Sequence, residues 1–227
     1  RDLPDLSDAQ QQRLAALQAP APLNDAPLQQ QRLVVLDLET SGLNLQRDQL
    51  LAIGAVVIED GAIDFSQQFE CTLHRADHKP SASTLIHGIA PSAIAAGIEP
   101  VEALLSFMEF LGDSPLLAFH AGFDQHMLAR ALRESLGYRL HHPFLDVAEL
   151  APLLCPQVTP HHAGLDDWLK YFQLQAAERH NASADALATA ELALILFSKA
   201  RAQQLDSLLA LDERLQTRRR RQRAPSL

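Results

Sequence analysis

Two carboxylates end an apolar run near the start of the chain, in the segment VVLDLETSG at residues 34 to 42. Residues two apart on a β-strand point to the same side, so Asp37 and Glu39 share one face of the predicted strand. Their repulsion and their removal from water become tolerable if cations lie between them, and such hard oxygen ligands suit Mg²⁺ or Mn²⁺. The alternative is a strand that simply ends in solvent with two solvated acids. The pair alone leaves both interpretations open.

Further ionisable side chains that could join this pair occur later in the chain. Asp124 follows a short apolar segment and a Gly-containing turn, at the predicted start of a helix. Asp185 lies five residues after His180, a spacing that would turn the two side chains about 140° apart on one continuous helix. We therefore expect His180 on the loop before a helix whose first turn holds Asp185. Ser183 or Asn181 would be the N-cap of that helix.

The elements that must position these side chains follow from hydrophobic periodicity. Strands are predicted at 32–39, 50–59 and 62–73, and Asp60-Gly61 is the turn between the last two, which indicates an antiparallel meander. Helices are then predicted at 101–111, 124–136, 147–154, 165–172, 183–200 and 202–216, with short strands at 116–119 and 143–146. This order predicts an α/β fold, in which helices pack on a mixed sheet.

The two ends of the chain differ from its middle. Residues 1–30 predict a helix at 7–18 and a Pro-punctuated linker, residues 31–200 the main domain, and residues 201–227 a C-terminal helix and basic tail. Six of the 19 Lys and Arg residues lie between 214 and 223, so residues 1–213 hold 13 basic and 28 acidic residues, a formal charge of −15. The basic tail either binds an anionic polymer or is a solvated, disordered terminus.

Composition narrows the class of protein. A length of 227 residues with 47% hydrophobic content fits one domain with extensions. Cys71 and Cys155 are too few for a disulfide framework and fit a reducing compartment. The sequence shows neither the apolar core of a signal peptide nor a run of eighteen apolar residues. We therefore expect a cytoplasmic protein with no membrane partner.

The ordered motifs resemble those of the DEDDh family of 3′–5′ exonucleases, which includes the proofreading epsilon subunit of bacterial DNA polymerase III and its stand-alone relatives. The motifs are Asp37-Leu-Glu39, Phe123-Asp124, and His180 separated by four residues from Asp185. Two further segments, LIHGI at residues 85–89 and DALATAE at residues 185–191, add to the match. Each motif alone is commonplace, whereas the ordered set, spread over residues 32–198, is specific.

This resemblance implies a ribonuclease H-like exonuclease fold, with a mixed five-stranded sheet flanked by helices and the active site at the end of the first strand. It also implies two divalent ions, Mg²⁺ or Mn²⁺, which activate water and stabilise the leaving 3′ oxygen. Asp37 would bridge the ions, and Glu39 and Asp185 would bind the one that holds the attacking water. Asp124 would coordinate metal at least partly through water. His180 would be the general base.

The resemblance also implies contacts to the last nucleotide, from Thr40 and Leu43 in the loop after the first strand and from His87. Thr40 could equally complete a turn, and Leu43 could belong to the core. One departure from the family pattern is Phe119-His120, where relatives commonly carry His and Asn before the acid of the second motif. His120 either replaces that Asn as a hydrogen-bonding group or is a core histidine, and it is left outside the catalytic set.

The implied function is hydrolysis of a single-stranded nucleic acid from its 3′ end, with DNA as the expected substrate and nucleoside 5′-monophosphates as products. An exoribonuclease that trims RNA is one alternative, distinguished by groups around the 2′-hydroxyl. An inactive, polymerase-associated adaptor is another, although the intact set of five catalytic positions argues against it. The two termini would serve attachment, including binding to a replication or repair protein.

Several other residues have simpler explanations than catalysis. Asp146 is the last residue of a predicted strand and is expected to cap the next helix. The pairs His141-His142 and His161-His162 lie in Pro-flanked segments and are expected in surface loops. Trp168 shares helical spacing with neighbouring apolar residues and is expected in the core.

Overall fold

The structure is a computed structural model that describes residues 4–76, 89–158, 163–175 and 181–224. Its centre is a five-stranded sheet with the strand order β3-β2-β1-β4-β5. Strands β1 (Leu33–Thr40), β2 (Leu50–Glu59) and β3 (Ala62–Thr72) form the predicted antiparallel meander. Strands β4 (Leu116–Ala118) and β5 (Phe144–Asp146) continue the sheet in parallel with β1. The predicted mixed sheet is confirmed.

The helices in the described residues are α1 (Asp8–Ala15), α2 (Pro91–Ala95), α3 (Pro100–Leu111), α4 (Ala121–Leu136), α5 (Val147–Leu154), α6 (Leu165–Tyr171), α7 (Ala182–Ala202) and α8 (Leu208–Arg223). The last one differs most from its prediction at 202–216. It begins later because Gln204, with φ +60, breaks the chain direction and Ser207 caps the new helix by accepting a hydrogen bond from the Ala210 amide at 3.0 Å. It then continues to Arg223, through the run of arginines.

Successive side chains of β1 point to opposite faces of the sheet, and an apolar layer packs on each face. Leu33 and Val35 face the layer built with α5, α6, α7 and α8, whereas Val34 and Leu36 face the layer built with α3 and α4. Asp37 has the same parity as Leu33 and Val35. Its side chain, and that of Glu39, therefore project on the α7 side of the sheet.

The parallel strands define one functional end of the sheet. The carboxyl ends of β1, β4 and β5 lie at the same edge, named here the carboxyl edge, because these three strands run in one direction. Helices α4 and α5 each begin directly after a strand that ends there. The Asp60-Gly61 turn joins β2 to β3 at the opposite edge, beside the start of β1.

The N-terminal segment packs on the domain. Leu28, in the predicted linker, is 2% exposed and belongs to the core. Its amide donates a hydrogen bond to Asp206 at 3.3 Å, and Arg13 on α1 pairs with Glu102 on α3 at 2.7 Å. Residues 4–30 therefore contribute to the packed structure beyond acting as a spacer.

Two further predictions about single residues have different outcomes. Trp168 is buried in the core, as expected. The surface position predicted for His142 is wrong: the side chain is 1% exposed, and its Nε2 lies 2.7 Å from the carbonyl oxygen of Gly112. Burial lowers the pKa of this imidazole. Across the described ranges, no helix combines the length and apolarity needed to cross a membrane.

Candidate active site

Three carboxylates meet at the carboxyl edge. Oxygen atoms of Asp37 and Glu39 on β1 and of Asp185 on α7 all lie within 4.8 Å of one another. Asp185 is 8% exposed, and the two β1 acids are half-buried. Three like charges so close together repel strongly in a partly desolvated environment, and a divalent cation would offset that repulsion. The donors are all hard oxygens, so these residues fit the Mg²⁺ or Mn²⁺ that the resemblance implies.

Asp185 reaches β1 because the start of α7 rests directly on the sheet. Gly54 on β2 is the cross-strand partner of Asp37. A β-carbon at Gly54 would overlap the backbone of Ala182 and Ser183 in the first turn of α7. Glycine at this position therefore permits the close approach. A lone glycine inside an apolar strand is a sequence signal for a bulge or a close backbone contact, and Gly54 shows the second of these.

The start of α7 also agrees with the predicted helix boundary. Asn181 is the N-cap, and its side-chain oxygen accepts a hydrogen bond from the Ala184 amide at 3.2 Å. Asp185 then lies in the first turn, as expected. The predicted base His180 and the predicted substrate contact His87 lie outside the described residues, as do His161 and His162.

Asp124 lies close to the three-acid group but is not a member of it. Its side chain is 4% exposed in the first turn of α4. Burial raises the pKa of this carboxyl well above its usual range, and the charges of Asp146 and Glu39 raise it further. The fold therefore brings Asp124 within electrostatic range of Glu39, in a place where its ionised form needs a compensating cation.

Asp146 connects the start of α5 to the segment between β4 and α4. One of its oxygens accepts hydrogen bonds from the Ala148 amide at 3.0 Å and from the His120 amide at 2.9 Å. The first bond is the predicted helix cap. The second holds His120 in the left-handed conformation, φ +64, from which α4 starts. His120 itself is exposed, with its ring edge-on to Phe119 at 4.7 Å, so the core alternative is wrong.

The loop after β1 is ordered by hydrogen bonds to Asp48. This carboxylate accepts from the Ser41 hydroxyl at 2.9 Å and from the Asn44 amide at 2.7 Å. A β-carbon at Gly42 would lie 2.5 Å from one of its oxygens, so a larger residue there would have to displace the Asp48 carboxylate. Leu43, between Gly42 and Asn44, is 84% exposed. The alternative that Leu43 belongs to the core is therefore wrong.

Thr40 takes part in the turn at the start of this loop. Its hydroxyl donates a hydrogen bond to the carbonyl oxygen of Gly42 at 2.8 Å. This bond agrees with the simpler of the two interpretations, in which Thr40 completes a turn. A second role in substrate contact is compatible with that position, because the residue lies directly after Glu39.

The raised pKa of Asp124 predicts how stability depends on pH. We expect Asp124→Asn to raise the unfolding free energy of the metal-free protein at pH 7. A carboxyl with a higher pKa in the folded state than in the unfolded state costs no stability below its unfolded value, and the cost grows as the pH rises towards its folded value. The two proteins are unfolded with urea in the presence of a chelator, once at pH 7 and once below about pH 3.9, the reference pKa of an Asp carboxyl in an unfolded chain. The difference in unfolding free energy between variant and wild type should appear at pH 7 and vanish at the lower pH. An equal gain at both pH values would contradict the prediction.

Comparison with known proteins places the chain in a family. The exonuclease family model named RNase T matches residues 34–193. PolC-type DNA polymerase III of Bacillus subtilis is 30% identical over 176 residues, which are 76% of this chain and 12% of that protein. The corresponding polymerase of Clostridium perfringens is 32% identical over 166 residues, which are 73% and 11% of the two chains. The chain thus spans only a small part of the length of these relatives.

Solved structures support the same fold. Exonuclease I of E. coli, solved in complex with a dT13 oligonucleotide, superimposes with a TM-score of 0.66 at 18% identity, over 77% of this chain and 42% of that chain. The predicted ribonuclease H-like exonuclease fold is thereby confirmed. The family match spans Asp37, Glu39, Asp124 and Asp185, and the chain belongs to the RNase T exonuclease family.

Proposed function

We propose that this chain is a metal-dependent 3′–5′ exonuclease that hydrolyses single-stranded nucleic acid, preferentially DNA, and releases nucleoside 5′-monophosphates. The observation that carries the proposal is the group of three carboxylates within 4.8 Å, at the carboxyl edge of an exonuclease-family fold. Two comparisons support DNA as the substrate: the relatives are DNA polymerases, and exonuclease I was solved with a DNA oligonucleotide.

The carboxylates are the proposed ligands of two divalent ions. Bound ions would lower the pKa of the attacking water and stabilise negative charge on the phosphate and on the leaving 3′ oxygen. Asp37, Glu39 and Asp185 would hold these ions directly, with Asp37 shared between the two, and Asp124 would coordinate metal at least partly through water. The burial of Asp124 and Asp185 restricts their rotamers, which fixes the donor atoms before substrate binds.

Substrate contacts are proposed for Thr40, Leu43 and His87. Leu43 projects into solvent from a loop that Asp48 orders, so it can pack against the terminal nucleotide without rearrangement of the backbone. Thr40 directly follows Glu39 and is the last residue of β1, next to the carboxylates along the chain.

His180 is the proposed general base, because it immediately precedes Asn181, the N-cap of the helix that carries Asp185. We expect His180→Ala to lower the rate at neutral pH by about a hundredfold, the lower end of what general bases contribute. The acidic limb of the pH-rate profile, governed by a group with a reference pKa of about 6.5, should disappear. Stabilisation of the variant by Mn²⁺ in thermal melts should persist. A variant with an undiminished rate would instead make His180 a structural residue.

Digestion of matched 5′-labelled single-stranded DNA and RNA, with Mg²⁺ or Mn²⁺, tests the proposal. We expect a ladder that shortens from the 3′ end of the DNA and releases nucleoside 5′-monophosphates. Cleavage of RNA alone would favour the exoribonuclease alternative, and cleavage of neither strand would favour the adaptor. We further propose a cytoplasmic setting, in keeping with the two free, buried cysteines, and attachment to a replication or repair protein through the termini.

A further inference from the structure

The arginines near the C-terminus belong to an anchored helix. Leu208, Leu211 and Leu215 on α8 are buried against the layer formed by α5 and α7. The helix extends through Arg223 with Ser207 as its N-cap. The alternative of a disordered terminus is therefore wrong for residues 208–223. Each arginine on this helix has a defined place on the fold.

Helix α8 runs antiparallel to α5 and points towards the carboxyl edge. Before α8 begins, Gln203 donates a hydrogen bond to the carbonyl oxygen of Leu154, at the far end of α5, at 2.8 Å. Near its end, Arg219 donates two hydrogen bonds to the Glu149 carboxylate, at 2.7 and 2.9 Å, in the first turn of α5. Because α5 starts at the carboxyl edge, Arg219 lies close to that edge. The helix continues for four more residues, about 6 Å at the usual rise.

Three arginines on this last turn are available to a ligand. Arg220, Arg221 and Arg223 are exposed, and we name them the arginine patch. The buried leucines hold the helix that carries them, and the pair between Arg219 and Glu149 joins its last part to the first turn of α5. Within the described ranges, no carboxylate oxygen lies within 4.0 Å of a guanidinium nitrogen of the patch.

The surroundings of the patch are strongly acidic. The carboxyl edge carries Asp37, Glu39, Asp124, Asp146 and Asp185, and residues 1–213 have a formal charge of −15. Such a surface repels a polyanion. Cations fixed at the same edge provide local attraction where the body of the protein does not, and planar guanidinium groups match the geometry of phosphate oxygens.

We propose that the arginine patch binds the phosphodiester backbone of a single-stranded nucleic acid, several nucleotides from the 3′ end that occupies the active site. This inference rests on the proposed function. Strand β5 lies two strand spacings from β1, about 10 Å, and α8 packs in the helical layer outside the sheet, so the patch is well separated from the carboxylates. A dinucleotide in the site cannot span that distance, whereas a strand of about twenty nucleotides can.

The test compares two triple variants that lose the same charge. The patch variant is Arg220→Gln, Arg221→Gln and Arg223→Gln. The control variant is Arg133→Gln, Arg139→Gln and Arg201→Gln, three exposed arginines near the opposite edge of the sheet. Binding of each protein to a labelled dT20 strand is measured across a salt titration in EDTA, and hydrolysis of dT20 and of a thymidine dinucleotide is measured with Mn²⁺.

We expect the slope of log K against log salt concentration to be less negative by about two in the patch variant, since each phosphate contacted on a single strand contributes about 0.7. Its affinity for dT20 at low salt, and its kcat/KM on that strand, should fall by about tenfold, while its dinucleotide hydrolysis matches wild type. A truncated protein that ends at Arg219 should give the same binding and hydrolysis results as the patch variant, because it keeps the buried leucines and the pair with Glu149.

Three results would overturn the inference. One is a patch variant with the wild-type salt slope, another is an equal loss in the control variant, and the third is an equal loss on the dinucleotide. Failure of the proposed function is a separate observation. A wild-type protein that hydrolyses neither substrate would reject the nuclease activity, while the binding measurement in EDTA would still report on the patch.

Discussion

Replacement of Asp185 by asparagine is expected to remove nearly all hydrolytic activity, by about a thousandfold, and to raise the melting temperature of the metal-free protein. Asparagine keeps the shape of the side chain but loses the charge that holds a cation. Ligand loss at a metal site removes several kcal/mol of transition-state stabilisation, at about 1.36 kcal/mol per tenfold in rate. In a chelator, the same change relieves repulsion among three carboxylates within 4.8 Å of one another.

Thermal melts with and without Mn²⁺ measure the second half of this prediction. Wild type should gain stability with the metal, because an ion that binds only the folded state shifts the unfolding equilibrium. Asp185→Asn should gain much less. The matched control is Asp60→Asn, the same chemical change in an exposed turn at the opposite edge, where the positive φ of 54° tolerates asparagine. A near wild-type rate in Asp185→Asn would reject the proposed metal site.

Replacement of Gly54 by valine is expected to reduce activity by between a hundredfold and about a thousandfold, although no catalytic group is changed. The new side chain would overlap the backbone of Ala182 and Ser183, so α7 must move away from β2 and carry Asp185 with it. A displacement of about 1 Å can cost about a hundredfold in rate. A larger shift would remove Asp185 from the metal site altogether.

Stability distinguishes this mechanism from a general effect of replacing glycine. Gly54→Val should lower the unfolding free energy by about 1–3 kcal/mol, as overpacking does, despite the high strand propensity of valine. Gly122→Ala is the control, because a β-carbon there meets no atom within 4 Å and alanine favours the helix. It should melt at or above the wild-type temperature. Wild-type activity in Gly54→Val would show that α7 does not need this contact.

Features that depend on local geometry could be predicted from the sequence. The two-residue period of a strand places Asp37 and Glu39 on one face, whatever the rest of the fold does. The cap at Asp146, and the choice of Asn181 or Ser183 as the cap of α7, follow from side chains that satisfy amides two or three residues away; the structure has Asn181. The order of the motifs identified the family, and the family implied the fold in which Asp185 lies beside β1.

Features that depend on close approach between distant segments could not be predicted from the sequence and are seen only in the folded protein. Gly54 matters because of the backbone at Ala182, and periodicity carries no information about that contact. The pair between Glu149 and Arg219 joins residues 70 apart and turns a basic run into a patch at the carboxyl edge. His142 is buried because its ring reaches the carbonyl oxygen of Gly112 across the fold. Packing fixes such contacts, since many distant partners satisfy the same local pattern and only one of them fits the volume available.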